Sequence, residues 1–178
     1  MTIYTKVGDN GHTTLPDGST VGKDHPRIAA IGSVDELNAQ IGLCMAADGA
    51  RSGLFSQAFA TLQAELFVLG ADLASATKTL RLTDMMVARM EKQIDEIFSL
   101  LPPLHNFILP TGCELACRLH VARTVSRRAE RILAAAQHAQ SPVEPLMMRY
   151  LNRLSDLLFA LARLANREAG GEEQIWHG

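Results

Sequence analysis

The 178-residue chain is short of several things, and each shortage closes a class of function. Aromatic residues make up only 5% of it, although 47% is hydrophobic. Alanine and leucine therefore carry much of the apolar content, which favours packed helices over a β-sandwich. An excess of charge of one sign is missing too: 17 basic against 19 acidic residues leave a net −2. That balance offers no bulk attraction for nucleic acid or an anionic membrane. No apolar run approaches the length of a membrane span. The opening "MTIYTKVGD" lacks the charged-then-apolar order of a secretory signal. Cysteine is scarce, three residues and an odd number, which suits free thiols in a reducing compartment. The expectation is a soluble cytoplasmic protein of one domain, long enough to bury a real core.

The first 25 residues, "IYTKVGDNGHTTLPDGSTVGKDHPR" in large part, have no apolar period and read as a loop without strands. Pro26 suits the first turn of a helix, where its missing N–H costs nothing. From there "RIAAIGSVDELNAQIGLCMAA" repeats apolar residues at helical spacing. After the break "DGARSG" a second helix runs through "LFSQAFATLQAELFVLGADLASA", apolar over a wide arc. A third covers "MMVARMEKQIDEIFSLL". The proline-flanked "PPLHNFILPTG" separates it from a fourth over 113–138, and a fifth covers "LMMRYLNRLSDLLFALARLANRE". Short connections between the helices favour antiparallel neighbours, hence an all-α five-helix bundle over 26–168. Residues 169–178 read as a fraying tail.

Familiar catalytic devices are absent. The glycine-rich head lacks the GxxxxGK[ST] phosphate loop, no nucleophile–base–acid triad is visible, and the Glu-x-x-His pairs of a metal-carboxylate bundle are missing. What the head does have is Gly8 and Gly11, which allow close backbone approach to a ligand. Consecutive N–H groups there can form an anion nest. Thr5, Thr13 and Thr14 add hydroxyls, and Lys6 and Lys23 add positive charge. On the fourth helix, Arg123, Arg127 and Glu130 fall at i, i+4, i+7 beside the core face. Two guanidiniums there need an anion. Either carboxylates of a neighbouring helix supply it, or a phosphate does, which guanidinium forks match bidentately. Asp35 borders the apolar stripe of the first helix, as a solvated charge or as a carboxylate orienting an arginine. Asn152 and Asp156 lie at i, i+4 on the fifth helix, suited to a polar network or to a base or ribose. Cys113, Cys117 and His120 share a helix face, but no fourth ligand stands nearby, so packing outweighs a metal site there.

Taken in order, "IYTKVGDNGHTTL", "VGKDHPR", "GSVDELNAQIG", "LQAELFVLGADLA", "FILPTG", "LHVARTVSRRAER" and "YLNRLSDLLFALAR" closely resemble the PduO-type ATP:cob(I)alamin adenosyltransferases. The likeness runs from residue 3 to about 166. It implies a homotrimer with active sites between subunits. It also implies transfer of the 5′-deoxyadenosyl group of ATP, accompanied by Mg2+, to the cobalt of cob(I)alamin, with triphosphate released. A flavin-type reductase and a B12-dependent client enzyme are the partners the resemblance suggests. By position, it assigns Thr5, Lys6, Val7, Gly8, Thr13 and Thr14 to the loop that wraps ATP, and Lys23 to the phosphates. Arg127, Arg128, Ala129, Glu130 and Arg131 fall in the nucleotide-binding stretch, and Asn152 matches the asparagine on the nucleoside. Asp35 and Arg123 match an acid–arginine pair that bridges subunits. Phe107 matches a phenylalanine beside the corrin that helps displace the lower axial ligand. The chain departs from the family's "PGG" turn by placing Thr111, Gly112 and Cys113 after Pro110. The rival functions are a cofactor-delivering chaperone without catalysis and a structural bundle whose arginines pair internally.

Overall fold

The computed structural model describes residues 4, 6, 8–50, 53–75, 80–139 and 143–177. Five helices dominate it: α1 (Pro26–Ala46), α2 (Gly53–Ser75), α3 (Asp84–Leu100), α4 (Glu114–His138) and α5 (Pro145–Glu168). Each begins and ends within about a residue of the span its apolar period predicts. Their main packing order is α2–α1–α4–α5–α3. One cluster of buried side chains runs through all five, with Leu37, Phe59, Met90, Leu119 and Leu158 fully out of water.

Polar side chains inside this core tie α2 to α3 and α5. Glu65 of α2 accepts from Arg89 Nη2 of α3 at 2.7 Å and from Tyr150 Oη of α5 at 3.0 Å. Asp72, also buried, accepts from the backbone N–H groups of Arg81 and Leu82, both at 2.9 Å. Arg27 donates through Nε to Leu73 O and through Nη2 to Ala74 O at 2.8 Å. A guanidinium on the last carbonyls of α2 satisfies acceptors that the helix leaves open. It also fixes the start of α1, and with it the direction of the glycine-rich head.

Three sequence expectations need correction. First, the head contains a strand pair. His12–Thr14 (β1) and Thr20–Gly22 (β2) form an antiparallel hairpin with Thr13 opposite Val21. Its turn is "LPDGS": Gly18 N donates to Leu15 O at 2.9 Å, and Leu15 N to Ser19 O at 2.8 Å. Gly18 takes φ +84°, the left-handed geometry that glycine adopts freely. Leu15 is buried and anchors the hairpin. Second, α2 is long and apolar enough to cross a membrane, 23 residues at a hydropathy of 1.3. Its Glu65 and Asp72 are nonetheless turned inward and bonded to α3, α5 and the α3 approach, as in a bundle core. Third, residues 174–176 do not fray. Trp176 N donates to Phe107 O at 2.8 Å, Leu109 N donates to Gln174 O at 2.8 Å, and Ile108 bridges Ile175.

All three cysteines are free. Burial pushes the Cys44 thiol up to about 12 from its ordinary 9.0. Since the folded value is the higher one, Cys44 favours the folded state fully below pH 9.0, and that share fades as pH rises toward about 12. At pH 8 an aromatic disulfide reagent should therefore titrate Cys113 and Cys117 in the native protein. Cys44 should react only after denaturant; three fast thiols without denaturant would contradict its placement.

Candidate active site

The fourth helix starts on a pinned turn. Gly112 has φ +128°, and a Cβ there would stand 1.8 Å from Asn166 Oδ1. Only glycine fits. Asn166 clamps the turn from α5, its Oδ1 accepting from Cys113 N at 2.9 Å and its Nδ2 donating to Thr111 O at 3.0 Å. Cys113 is the N-cap of α4, its Sγ accepting from Ala116 N at 3.5 Å. Cys117 directs its thiol to Gly112 O at 3.5 Å. His120 is buried against the Phe159 ring, centroids 6.2 Å apart, with neither ring nitrogen bonded. The three potential metal ligands are thus separately employed, and among the described residues no group of three or more His, Cys, Asp or Glu gathers to hold a metal.

Two turns further along, α4 meets α3 and α5 around a cleft of about 470 Å³. Ile94, Phe98 and Phe159 form its apolar wall; Arg123, Arg127, Arg153, Ser155 and Asp156 form the polar side. The charges divide unequally. Arg153 is neutralised twice, by Asp156 at 2.6 Å and Glu91 at 3.1 Å. Arg127 is half-exposed and, among the described residues, has only Glu130 of its own helix, at 3.5 Å. Arg123 has no ion pair or side-chain hydrogen bond among the described residues, and its Nε is buried without an acceptor. Burial, and after it the Arg127 guanidinium, lower the Arg123 pKa. Burial likewise lowers the His120 pKa, with Arg123 adding to the effect and Glu173 opposing it. An imidazole so placed is neutral at neutral pH. The cleft therefore presents two under-compensated guanidiniums beside an apolar wall, a combination that calls for an anion.

The remaining predicted residues lie elsewhere on the protomer. Arg128 pairs across to Glu36 of α1 at 2.5 Å. Arg131 donates to Arg127 O at 3.1 Å. Ala129 is fully buried and its methyl serves packing. Asn152 is exposed on α5. Asp35 is exposed and lines an apolar groove between α1 and α2, with Ile31, Val34, Leu66 and Phe67. It does not reach Arg123 within one protomer. In the head, Lys6 holds φ +63°, an uncommon conformation for a residue with a side chain. Lys23 folds back over Gly8, where a Cβ would meet its Nζ at 3.2 Å. Thr13 and Thr14 stand on β1; Thr5 and Val7 lie outside the described residues. Phe107 is 78% exposed, its ring met edge-on by Trp176 at 6.4 Å.

Sequence reasoning missed Arg153, Phe98, Phe159 and Ile94. The i, i+3 spacing of Arg153 and Asp156 was visible, but their convergence on α3 was not, because helix order is a tertiary fact.

Comparison with known proteins places this geometry. The cobalamin adenosyltransferase family matches residues 3–165. The corrinoid adenosyltransferase PduO of Citrobacter freundii is 43% identical over 95% of this chain, which spans only 51% of that protein. The cobalamin adenosyltransferase of Cupriavidus metallidurans is 44% identical, with 98% of this chain and 93% of that protein covered. Among solved structures, a phenylalanine-to-histidine variant of the PduO-type ATP:corrinoid adenosyltransferase of Lactobacillus reuteri, complexed with cobalamin and ATP, superposes with a TM-score of 0.94. It is 34% identical, and 99% of this chain and 97% of that one are covered. An arginine-to-lysine variant of the L. reuteri enzyme complexed with ATP gives 0.90 at 34% identity, over 98% and 100% of the two chains. With the bundle, the cationic cleft and these matches together, the chain belongs to the cobalamin adenosyltransferase family.

Proposed function

We propose that the protein transfers the 5′-deoxyadenosyl group of ATP to the cobalt of cob(I)alamin. The observation that carries this reading is Arg127, half-exposed with a 3.5 Å link to Glu130, beside the wall of Ile94, Phe98 and Phe159. A cationic side suits a triphosphate, and an apolar side suits the face of a corrin.

Cobalt(I) is the nucleophile and belongs to the substrate, so no side-chain base is required. Its electron pair forms the Co–C5′ bond as the C5′–O bond breaks, and triphosphate leaves with the bonding pair. The protein's part is to hold C5′ over the cobalt and to meet the negative charge that the leaving group gathers. Lys6, Lys23 and Arg127 are the cations for that task, with Gly8, Thr5, Val7, Thr13 and Thr14 wrapping the nucleotide. Arg128, Glu130 and Arg131 extend the nucleotide surface along α4, and Asn152 takes the nucleoside. Phe107 stands on the corrin side and helps to keep the lower axial ligand off. A Mg2+ ion would travel with ATP, held chiefly by phosphate oxygens and one or two carboxylates; Glu130 is the acid in place.

The active unit is a homotrimer with sites between subunits. The α1–α2 groove, with Phe67 71% exposed on it, supplies an apolar face for a second copy. That arrangement would bring Asp35 of one protomer to Arg123 of the next, pairing two charges that have no ion pair among the described residues of one protomer. Asp35→Ala should therefore weaken both assembly and turnover. Sedimentation showing the wild-type association state in the variant would contradict the bridging role. The enzyme would work in the cytoplasm, where a flavin-type reductase can deliver Co(I) and a B12-dependent enzyme can take the product.

The reading is tested anaerobically with ATP and chemically reduced cobalamin. The corrinoid spectrum should change to that of an alkylated cobalt, with one triphosphate released per corrinoid. Tight ATP binding without triphosphate release would favour a delivery chaperone.

A further inference from the structure

The C-terminal residues are held by a buried charge, and the hold reaches Phe107. Arg163 of α5 is 1% exposed. Its Nε donates to Glu173 Oε1 at 2.6 Å and its Nη2 to Glu173 Oε2 at 2.9 Å, a bidentate fork. Nη2 also donates to Pro102 O at 3.0 Å, and the guanidinium lies 5.3 Å over the Phe98 ring of the cleft wall. Nη1 has no acceptor among the described residues. Glu173 is therefore the carboxylate on which a dry cation depends, and a buried charge needs such a partner.

From Glu173 the chain runs directly into its pairing with the Phe107 segment, through Gln174 O, Ile175 and Trp176 N. Those contacts are thin on their own. They amount to two backbone hydrogen bonds plus an edge-on contact between rings that are 78% and 54% exposed. Surface hydrogen bonds exchange with water at little net gain. The buried fork is the strong point of attachment, one residue before the segment it holds.

We propose that the Arg163–Glu173 pair is a latch that fixes residues 174–176 on segment 107–109. Glu173 is then a positioning residue for the corrinoid side of the site. Its influence on corrinoid binding rests on the function proposed above; the latch itself does not.

The test uses full-length Glu173→Gln, which keeps the side-chain shape but loses the charge. Hydrogen exchange at the Leu109 and Trp176 amides should quicken by about 10- to 100-fold, the loss of one charge-assisted contact. Trp176, the only tryptophan, should emit further to the red and be quenched more readily. The KM for cob(I)alamin should rise about tenfold while the KM for ATP changes less than about twofold, a split that general destabilisation would not produce. Unchanged exchange and emission in a folded variant would overturn the latch. Faster exchange with an unchanged corrinoid KM would overturn the positioning role. A wild-type protein that alkylates no corrinoid would instead sink the function, leaving exchange and emission to decide the latch. Should Glu173→Gln fold poorly, the double variant Arg163→Met with Glu173→Gln leaves no unpaired charge, and the same readouts decide.

Discussion

Arg127→Ala lowers turnover roughly 10²–10³-fold, the usual loss when one preorganised charge that meets a developing anion is removed. The fold should hardly notice. The side chain is 50% exposed, and its one salt link is a 3.5 Å contact to Glu130 on the same helix. Such surface pairs are worth about 0.5 kcal/mol or less, and alanine is the better helix former. The two effects therefore separate: a large kinetic defect, with a melting curve close to wild type. Arg127→Lys keeps the charge but not the planar fork and should fall between the two. Steady-state rates at saturating ATP, measured anaerobically beside circular dichroism melts, make the comparison. Wild-type turnover in the alanine variant would remove Arg127 from the site.

Glu65→Ala destabilises the bundle by about 3 kcal/mol, near the lower end of the 3–5 expected when one partner of a buried pair is removed. Glu65 Oε2 is the shared acceptor of Arg89 and Tyr150, which come from two other helices. Tyr150 is fully buried, and burial, then the Glu65 carboxylate, raise its pKa well above 10.0, so its phenol remains a donor. Without Glu65 that donor has no acceptor in a dry core, which is the costly case. Arg89 softens the loss because its side chain is 31% exposed and can rehydrate. Urea denaturation should show the change in midpoint without a change in slope. A loss below about 1 kcal/mol would mean that water or another side chain replaces the carboxylate.

The parts of the molecule that the sequence made legible are those where one local period decides. All five helices follow from apolar spacing, helped by prolines at the starts of α1 and α5 and beside α3 and α4 and by the "DGARSG" break before α2. The hairpin was missed because three-residue strands carry no period; its only mark was the turn "LPDGS". The docked C-terminus was missed because the segment it pairs with, 107–109, lies more than 60 residues earlier in the chain. The cationic pair Arg123 and Arg127 was visible from i, i+4 spacing, yet spacing could not say which guanidiniums would find carboxylates. The fold answers that: Arg153 is doubly paired, Arg128 goes to Glu36, and Arg123 has no partner among the described residues. The same fold keeps Asp35 away from Arg123 in one protomer, which spacing within a helix cannot reveal.

The central claim is that the glycine–threonine head and the α4 guanidiniums together hold the polyphosphate of ATP. Crystals grown with ATP and Mg2+ test it most directly. The account predicts the triphosphate between Lys6 and Lys23 of the head and Arg127 of α4, across a subunit boundary, with Arg127 drawn off Glu130. A nucleotide bound away from the head, with the Arg127–Glu130 link intact, would contradict it.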